Sequence, residues 1–400
     1  MIFSRSKLPA LGVILAACLA LGGFAPAALA ADDALPVTYY SGKQIGVSIV
    51  SSSPEIEQLM RSAFFIHGAF NPNAIASSVE YTLRFTPVGA NQMSVAAESK
   101  APGASFQVTA TGATLTEAAY RAADAVVEHL TQRPGFFAGK LAFVSTRTKY
   151  REIYVSDILG RSVLQLTQDH SISANPRWSP DGAKLLYTGY YRSGFPDIIL
   201  YNIATHMRSV FAGYQGTNTG GTFSPDGKSV AMILSSKEGS TELFVSDAEG
   251  KNVRRLTHTM SSKSSPTWSP DSSRIILACD PQGAPLLYQI PAAGGSLQLV
   301  ANKVYAYSAE AAWNPVDPSL IAFMQQMSNG TMQVLTYNFK TGEVKVLADG
   351  FEPCWANDGR HIFYTNHVKG VDHLYIVDSI TKKAAPLPMA GSDAAFVYVK

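Results

Sequence analysis

From residue 140 onward, short apolar runs alternate with turn-forming residues. KLLYT (184–188), SVAMIL (229–234) and RIILA (274–278) are each bounded by Gly, Pro, Asp or Ser, the pattern of buried strands. A second series reads EIYVSDILG at 152–160, DIILYNIATH at 197–206, ELFVSDAEG at 242–250, LLYQIPAAGG at 286–295, QVLTYNFKTG at 333–342 and HLYIVDSITK at 373–382. Each is a strand that runs into a turn. A third phrase precedes the apolar runs: RWSPDG (177–182), TFSPDG (222–227), TWSPDS (267–272), AWNPVD (312–317) and CWANDG (354–359). Its aromatics, Trp178, Phe223, Trp268, Trp313 and Trp355, are spaced by 45, 45, 45 and 42 residues. That period with strand-like content predicts a β-propeller, one four-stranded blade per repeat.

The aromatic phrase occurs five times and the outer strand six. The chain enters the repeats at 141–144 without an aromatic phrase, and AAFVYVK at 394–400 is a strand with no blade of its own. Pairing the two closes six blades and removes the open edge, with Phe396 as the sixth aromatic. The recurring aspartate of SPDG belongs to a turn: Pro presets φ, Asp caps local N–H groups and Gly accepts the left-handed conformation. Acids in separate blades do not converge for catalysis.

Residues 31–139 lack the repeat. They read as a strand at 45–50, a helix over 54–70, and strands at 79–86, 93–97 and 106–111. A second helix begins at Thr114, with Glu117 completing a capping box, and Pro134-Gly135 ends it. The expected fold is therefore two-domain, a small N-terminal α/β domain (31–137) followed by an all-β six-bladed β-propeller (138–400) closed by the C-terminal strand.

Before these comes a leader. Arg5 and Lys7 precede an apolar stretch at 11–21, and Ala28-Leu29-Ala30 is a small-x-small cleavage site. Cleavage near Ala30 and export to the periplasm are expected; Leu15-Ala16-Ala17-Cys18 offers lipoprotein anchoring as the alternative. The charge bears on partners. Of 32 Lys and Arg against 30 Asp and Glu, the leader carries two bases and no acid, which leaves 30 against 30. A neutral protein has no electrostatic footprint for nucleic acid. Cys279 and Cys354 form no CxxC; free thiols or one long-range disulfide are open.

The order of these parts, with the WSPDG repeats, Phe70-Asn71-Pro72 after the first helix and Lys140-Leu141-Ala142-Phe143 after the second, resembles the TolB family of the bacterial Tol–Pal system. The resemblance implies a periplasmic, non-enzymatic scaffold that binds a peptidoglycan-associated lipoprotein, Pal, through one propeller face and supports outer-membrane integrity, envelope constriction in cell division and protein transport. It also implies a contact with TolA, an inner-membrane protein, through the extreme N-terminus; the segment 32–46 departs from the family's acidic, strand-forming box for that contact. A monomer without cofactors is expected.

Hydrolase, zinc-protease, nucleotide and dinucleotide signatures are absent. His361, His367 and His373 cluster in sequence, without an acidic or thiol companion at a ligand spacing, so no metal is assigned. Binding is expected in the loops that lead into the inner strands, where blades converge. The candidate partner-binding residues there are His170, Asn175, Asn218, Thr219, Lys263, Tyr305, Tyr307, Glu310, Phe351 and Glu352. The competing expectation is a propeller lyase or hydrolase acting on a polysaccharide at the axial channel, using Glu310, Glu352 and His170.

Overall fold

The computed structural model describes residues 44–281, 283–300 and 307–399. The leader at 1–30, the Cys18 alternative and Tyr305 lie outside them. The chain first forms a five-stranded sheet. Ile45–Ser51 runs parallel to Tyr81–Gly89 and to the short Phe70–Asn71, and Gln92–Ser99 and Phe106–Thr111 add antiparallel. Two helices cover it. Helix α1 (Pro54–Ile66) starts on Ser53, whose hydroxyl accepts the Ile56 N–H, with Pro54 in its first turn. It stops at Ile66 rather than running to 70. His67 leaves helical geometry, and a Cβ on Gly68 would stand 2.2 Å from an Asp378 carboxylate oxygen, so the chain turns where it meets the propeller. Helix α2 (Leu115–Thr131) starts on Thr114, with Glu117 reaching back to the Ala113 N–H, and ends on left-handed Gln132 just before Pro134.

Six four-stranded sheets follow. In chain order, the inner strands of blades 2 to 6 are Ser173–Trp178, Asn218–Phe223, Ser262–Trp268, Ser308–Trp313 and Phe351–Trp355. Blade 1 is completed by Ser392–Val397, which pairs antiparallel with Lys140–Ser145. Phe396 lies opposite Leu141 as Trp178 lies opposite Leu185 and Trp355 opposite Ile362. The ring thus closes by the C-terminal strand, with Phe396 in the sixth aromatic place. The tryptophans also stitch blades together: the indole N–H of Trp178, Trp268 and Trp355 donates to Ala395, Thr222 and Ala312 of the preceding inner strand, at 3.1, 3.1 and 3.0 Å.

The SPDG aspartates are turn residues. The Ser179, Ser224 and Ser269 hydroxyls each donate to the aspartate two residues on, at 2.5 Å, and that aspartate accepts the next turn's N–H. Those bonds, the serine's first, hold Asp181 and Asp226 below the usual carboxylate range and bring Asp271 to about 2.

The sheet-and-helix layer and the propeller share one apolar core, running from Phe64, Phe70 and Phe137 to Phe363, Leu374 and Ile376. Polar ties cross the seam. Lys383 Nζ donates to Phe65 O at 2.6 Å, Asn357 Nδ2 to Gly135 O at 3.1 Å and Tyr120 to Asp157 at 3.3 Å. Asp124 accepts from the Phe137 and Ala138 amides and from Tyr398, just beyond the closing strand; burial pushes its carboxyl up to about 7. Cys279 and Cys354 are free thiols. No helix among the described residues is long and apolar enough to cross a membrane.

Candidate partner-binding rim

A blade is an up-and-down meander, so its first and third turns lie on one rim of the ring. The starts of the inner strands and the crossovers between blades lie on the other. The seam contacts involve Asp157, Asn357, Asp358, His361, Asp378 and Lys383, all at first or third turns of blades 6 and 1. The sheet-and-helix layer therefore lies on the turn rim at blades 6 and 1, and none of these contacts lies on the rim where the inner strands begin.

Each inner strand carries a bulge there. Three residues before each aromatic, the chain takes positive φ: Asn175 (52°), Gly220 (66°), Ser265 (51°), Glu310 (55°), Glu352 (55°) and Asp393 (55°). A bulge residue in this conformation turns its amide out of the sheet ladder, and on three consecutive blades a neighbouring acid receives it. Glu310 Oε2 accepts the Glu352 N–H at 2.8 Å, Glu352 Oε2 accepts the Asp393 N–H at 2.6 Å, and Asp393 Oδ2 accepts the Asn175 N–H at 2.6 Å. Thr365 donates to Glu352 at 2.7 Å, and Arg177 pairs with Asp393 at 3.0 Å. Burial pushes Glu310 up to about 7. Burial, then the charges of Asp393 and Glu310, drive Glu352 well above the usual carboxylate range. Burial works against the Arg177 cation, but Asp393 outweighs it and keeps the guanidinium protonated.

The sequence-selected residues divide into three groups. Asn175, Glu310 and Glu352 meet at this axial ring. Exposed His170 sits on the crossover before it, its N–H held by Glu152 and its ring 5.2 Å from Tyr150. The other described residues serve the framework. Asn218 is buried and spends its amide on Pro196 O, Tyr214 O and the Tyr214 N–H. The Lys263 ammonium is enclosed beside Glu242 at 3.1 Å and donates to Ser261 O and Thr259; a buried cation needs its counter-ion, which removes it from the surface. Thr219 is half-buried opposite Ile233. Half-buried Tyr307 and Phe351 pack on the core around Trp313 and Phe323 rather than standing out as anchors. Sequence reasoning misses Arg177 and places Asp393 only at the end of the entering loop 391–393, without singling it out. The signal for Asp393 was available, because it falls three residues before Phe396, the register of Glu310 before Trp313.

The histidines also regroup. His367 and His373 stay apart from His361, which meets Asp358 (2.5 Å from its Nδ1) and His67 on the seam. The acidic companion not recognised at a ligand spacing is therefore the turn aspartate of blade 6.

Residues 127–396 match the family described as TolB beta propeller domain. The Tol-Pal system protein TolB of Anaeromyxobacter dehalogenans strain 2CP-C is 35% identical over 158 residues, 39% of this chain and 36% of that protein. The chain thus spans little more than a third of the curated relative it matches. TolB from Acinetobacter baumannii superposes with a TM-score of 0.78 at 20% identity, covering 90% of this chain and 98% of that one. A putative TolB from Agrobacterium tumefaciens gives 0.51 at 16%, covering 64% and 91%. On the family match, over two-thirds of its length, the chain belongs to the TolB β-propeller family.

Proposed function

We propose that this protein is a periplasmic, non-enzymatic scaffold that binds a Pal-like peptidoglycan-associated lipoprotein at the rim where the inner strands begin, and so supports outer-membrane integrity and constriction. The observation that carries this reading is the division of the two rims. One carries the sheet-and-helix layer at blades 6 and 1, and the other exposes His170 beside the half-buried Asn175, Glu310 and Glu352, with Asp393 enclosed among them. The ring acids favour a scaffold because each spends a carboxylate oxygen on a neighbouring backbone amide, which fixes strands rather than leaving a base free for substrate. A TolA-like contact through the N-terminal segment belongs to the same proposal. The test is a pull-down from envelope extracts with immobilised protein, beside a deletion strain. Capture of a Pal-like lipoprotein and a leaky outer membrane are expected. A tight envelope and no such capture would overturn the reading.

One observation favours a second reading. Three carboxylates and Arg177 converge on the axis, and two of those acids have raised pKa values, as a lyase or hydrolase acting on a polysaccharide requires. Turnover of acidic or neutral oligosaccharides, abolished by Glu352→Gln, would establish it.

A further inference from the structure

Blade 6 departs from the repeat at one place. In blades 2 to 4 the turn aspartate is exposed and tied to its own serine (Ser179, Ser224, Ser269). In blade 6 that serine is Ala356, so Asp358 keeps the turn amide on one oxygen and has no serine hydroxyl to accept. The residue six after the aromatic is Lys184, Ser229 and Arg274 in those blades, and here it is His361. Both exchanges occur where the end of α1 lands, which brings His67 against them.

The result is a closed cluster. His67, Asp358 and His361 are each about 1% exposed or less, and one ligand atom from each lies within 4.8 Å of the others. The two imidazole rings are 4.4 Å apart between centroids, under a roof formed by Phe136 at 4.5 Å from the His361 ring. Asp358 accepts the His361 Nδ1–H at 2.5 Å, with its other oxygen taking the Arg360 and His361 amides. That holds the Nδ1 side of the ring and leaves Nε2 of His361 as its other nitrogen. This atom is fully enclosed and has no hydrogen-bond partner. A buried polar atom without a partner is destabilising, and an apolar residue here would avoid that cost. An imidazole whose distal N–H is held by a carboxylate, with its other nitrogen bare, is the arrangement of a metal-ligating histidine. Beside it, Asp378 is bidentate with Arg360, at 2.9 and 2.5 Å.

We propose that this seam is a binding site for a first-row transition-metal ion such as Zn²⁺, with His361 Nε2 and His67 as ligands and Asp358 orienting His361. Imidazole donors suit zinc, copper and nickel rather than calcium or magnesium. The ion would join α1 to blade 6. Because the site is sealed by Phe136 and its neighbours, it loads during folding.

The test is refolding of the full chain from urea with Zn²⁺ present, buffer exchange, and metal content by mass spectrometry. About one equivalent per chain is expected. Retention should fall at least tenfold in His361→Gln and His67→Gln and stay unchanged in His367→Gln, whose exposed side chain lies on the same blade. X-ray absorption on zinc-loaded wild type needs no variant and should show imidazole scattering. Wild type that retains no zinc, zinc without imidazole scattering, or a folded His361→Gln that retains as much as wild type would each overturn the site.

Discussion

At the scale of single residues, the axial ring makes a carboxyl group answerable to pH. Glu310 is raised from 4.5 to about 7 by burial, so folding favours its protonated form. A carboxyl raised in the folded state contributes stability that is fully present below its unfolded pKa. That contribution is lost as the pH climbs through the folded value. The protein should therefore lose stability between about pH 4.5 and 7. Glu310→Gln keeps an oxygen for the Glu352 N–H and removes the titration. It should raise Tm by roughly 2–4 °C at pH 8 and change little at pH 4, as read by scanning calorimetry. A variant curve parallel to wild type across that range would refute the assignment. Asp226, in its exposed turn, is the opposite case, because its bonds to Ser224 and Lys228 favour the anion. Asp226→Ala should cost about 1 kcal/mol at neutral pH by urea titration, the usual loss of a capping side chain.

At the scale of the element, the aromatic strand end does two jobs that substitution can separate. Trp268 fills the space between blades and donates its indole N–H to Thr222. Trp268→Phe removes the hydrogen bond and part of the ring packing and should cost about 1–2 kcal/mol, since Phe223 and Phe396 serve their own blades with a phenyl ring and no such bond. Trp268→Ala also removes the rest of the packing and should cost roughly 3–5 kcal/mol; equal losses in urea denaturation would show that the remaining packing adds nothing. The same element shows how far the sequence was legible. A 45-residue period, five aromatics against six outer strands, and Phe396 in register specify the ring because each is a local pattern repeated. Asn218 and Lys263 misled for the same reason. Their residue types look like surface chemistry, and only the fold shows Asn218 closing its own crossover and Lys263 enclosed by Glu242. His67 and His361 stand 294 positions apart in the sequence, and no periodicity links them. Their meeting depends on where α1 docks.

At the scale of the molecule, closure and docking are coupled. Gly139 precedes the first propeller strand, and a Cβ there would fall 2.1 Å from the Phe396 ring. Tyr398 and the Val399 carbonyl, just past the closing strand, bond to Asp124 and Arg121 of α2. Gly139→Ala should therefore displace Phe396 and loosen both at once. A fall in Tm accompanied by faster hydrogen exchange at 392–397 and in α2 is expected, and a change confined to the strand would argue against coupling. The Phe396–Leu141 pairing has a temporal consequence as well. Leu141 precedes Phe396 in the chain by the whole of blades 2 to 6, so blade 1 has an unsatisfied edge until the last strand is in place. The ring cannot lock on a partial chain. A product cut short before Ser392 keeps the open edge of Lys140–Ser145 permanently, an unpaired strand of the kind that invites pairing with another chain.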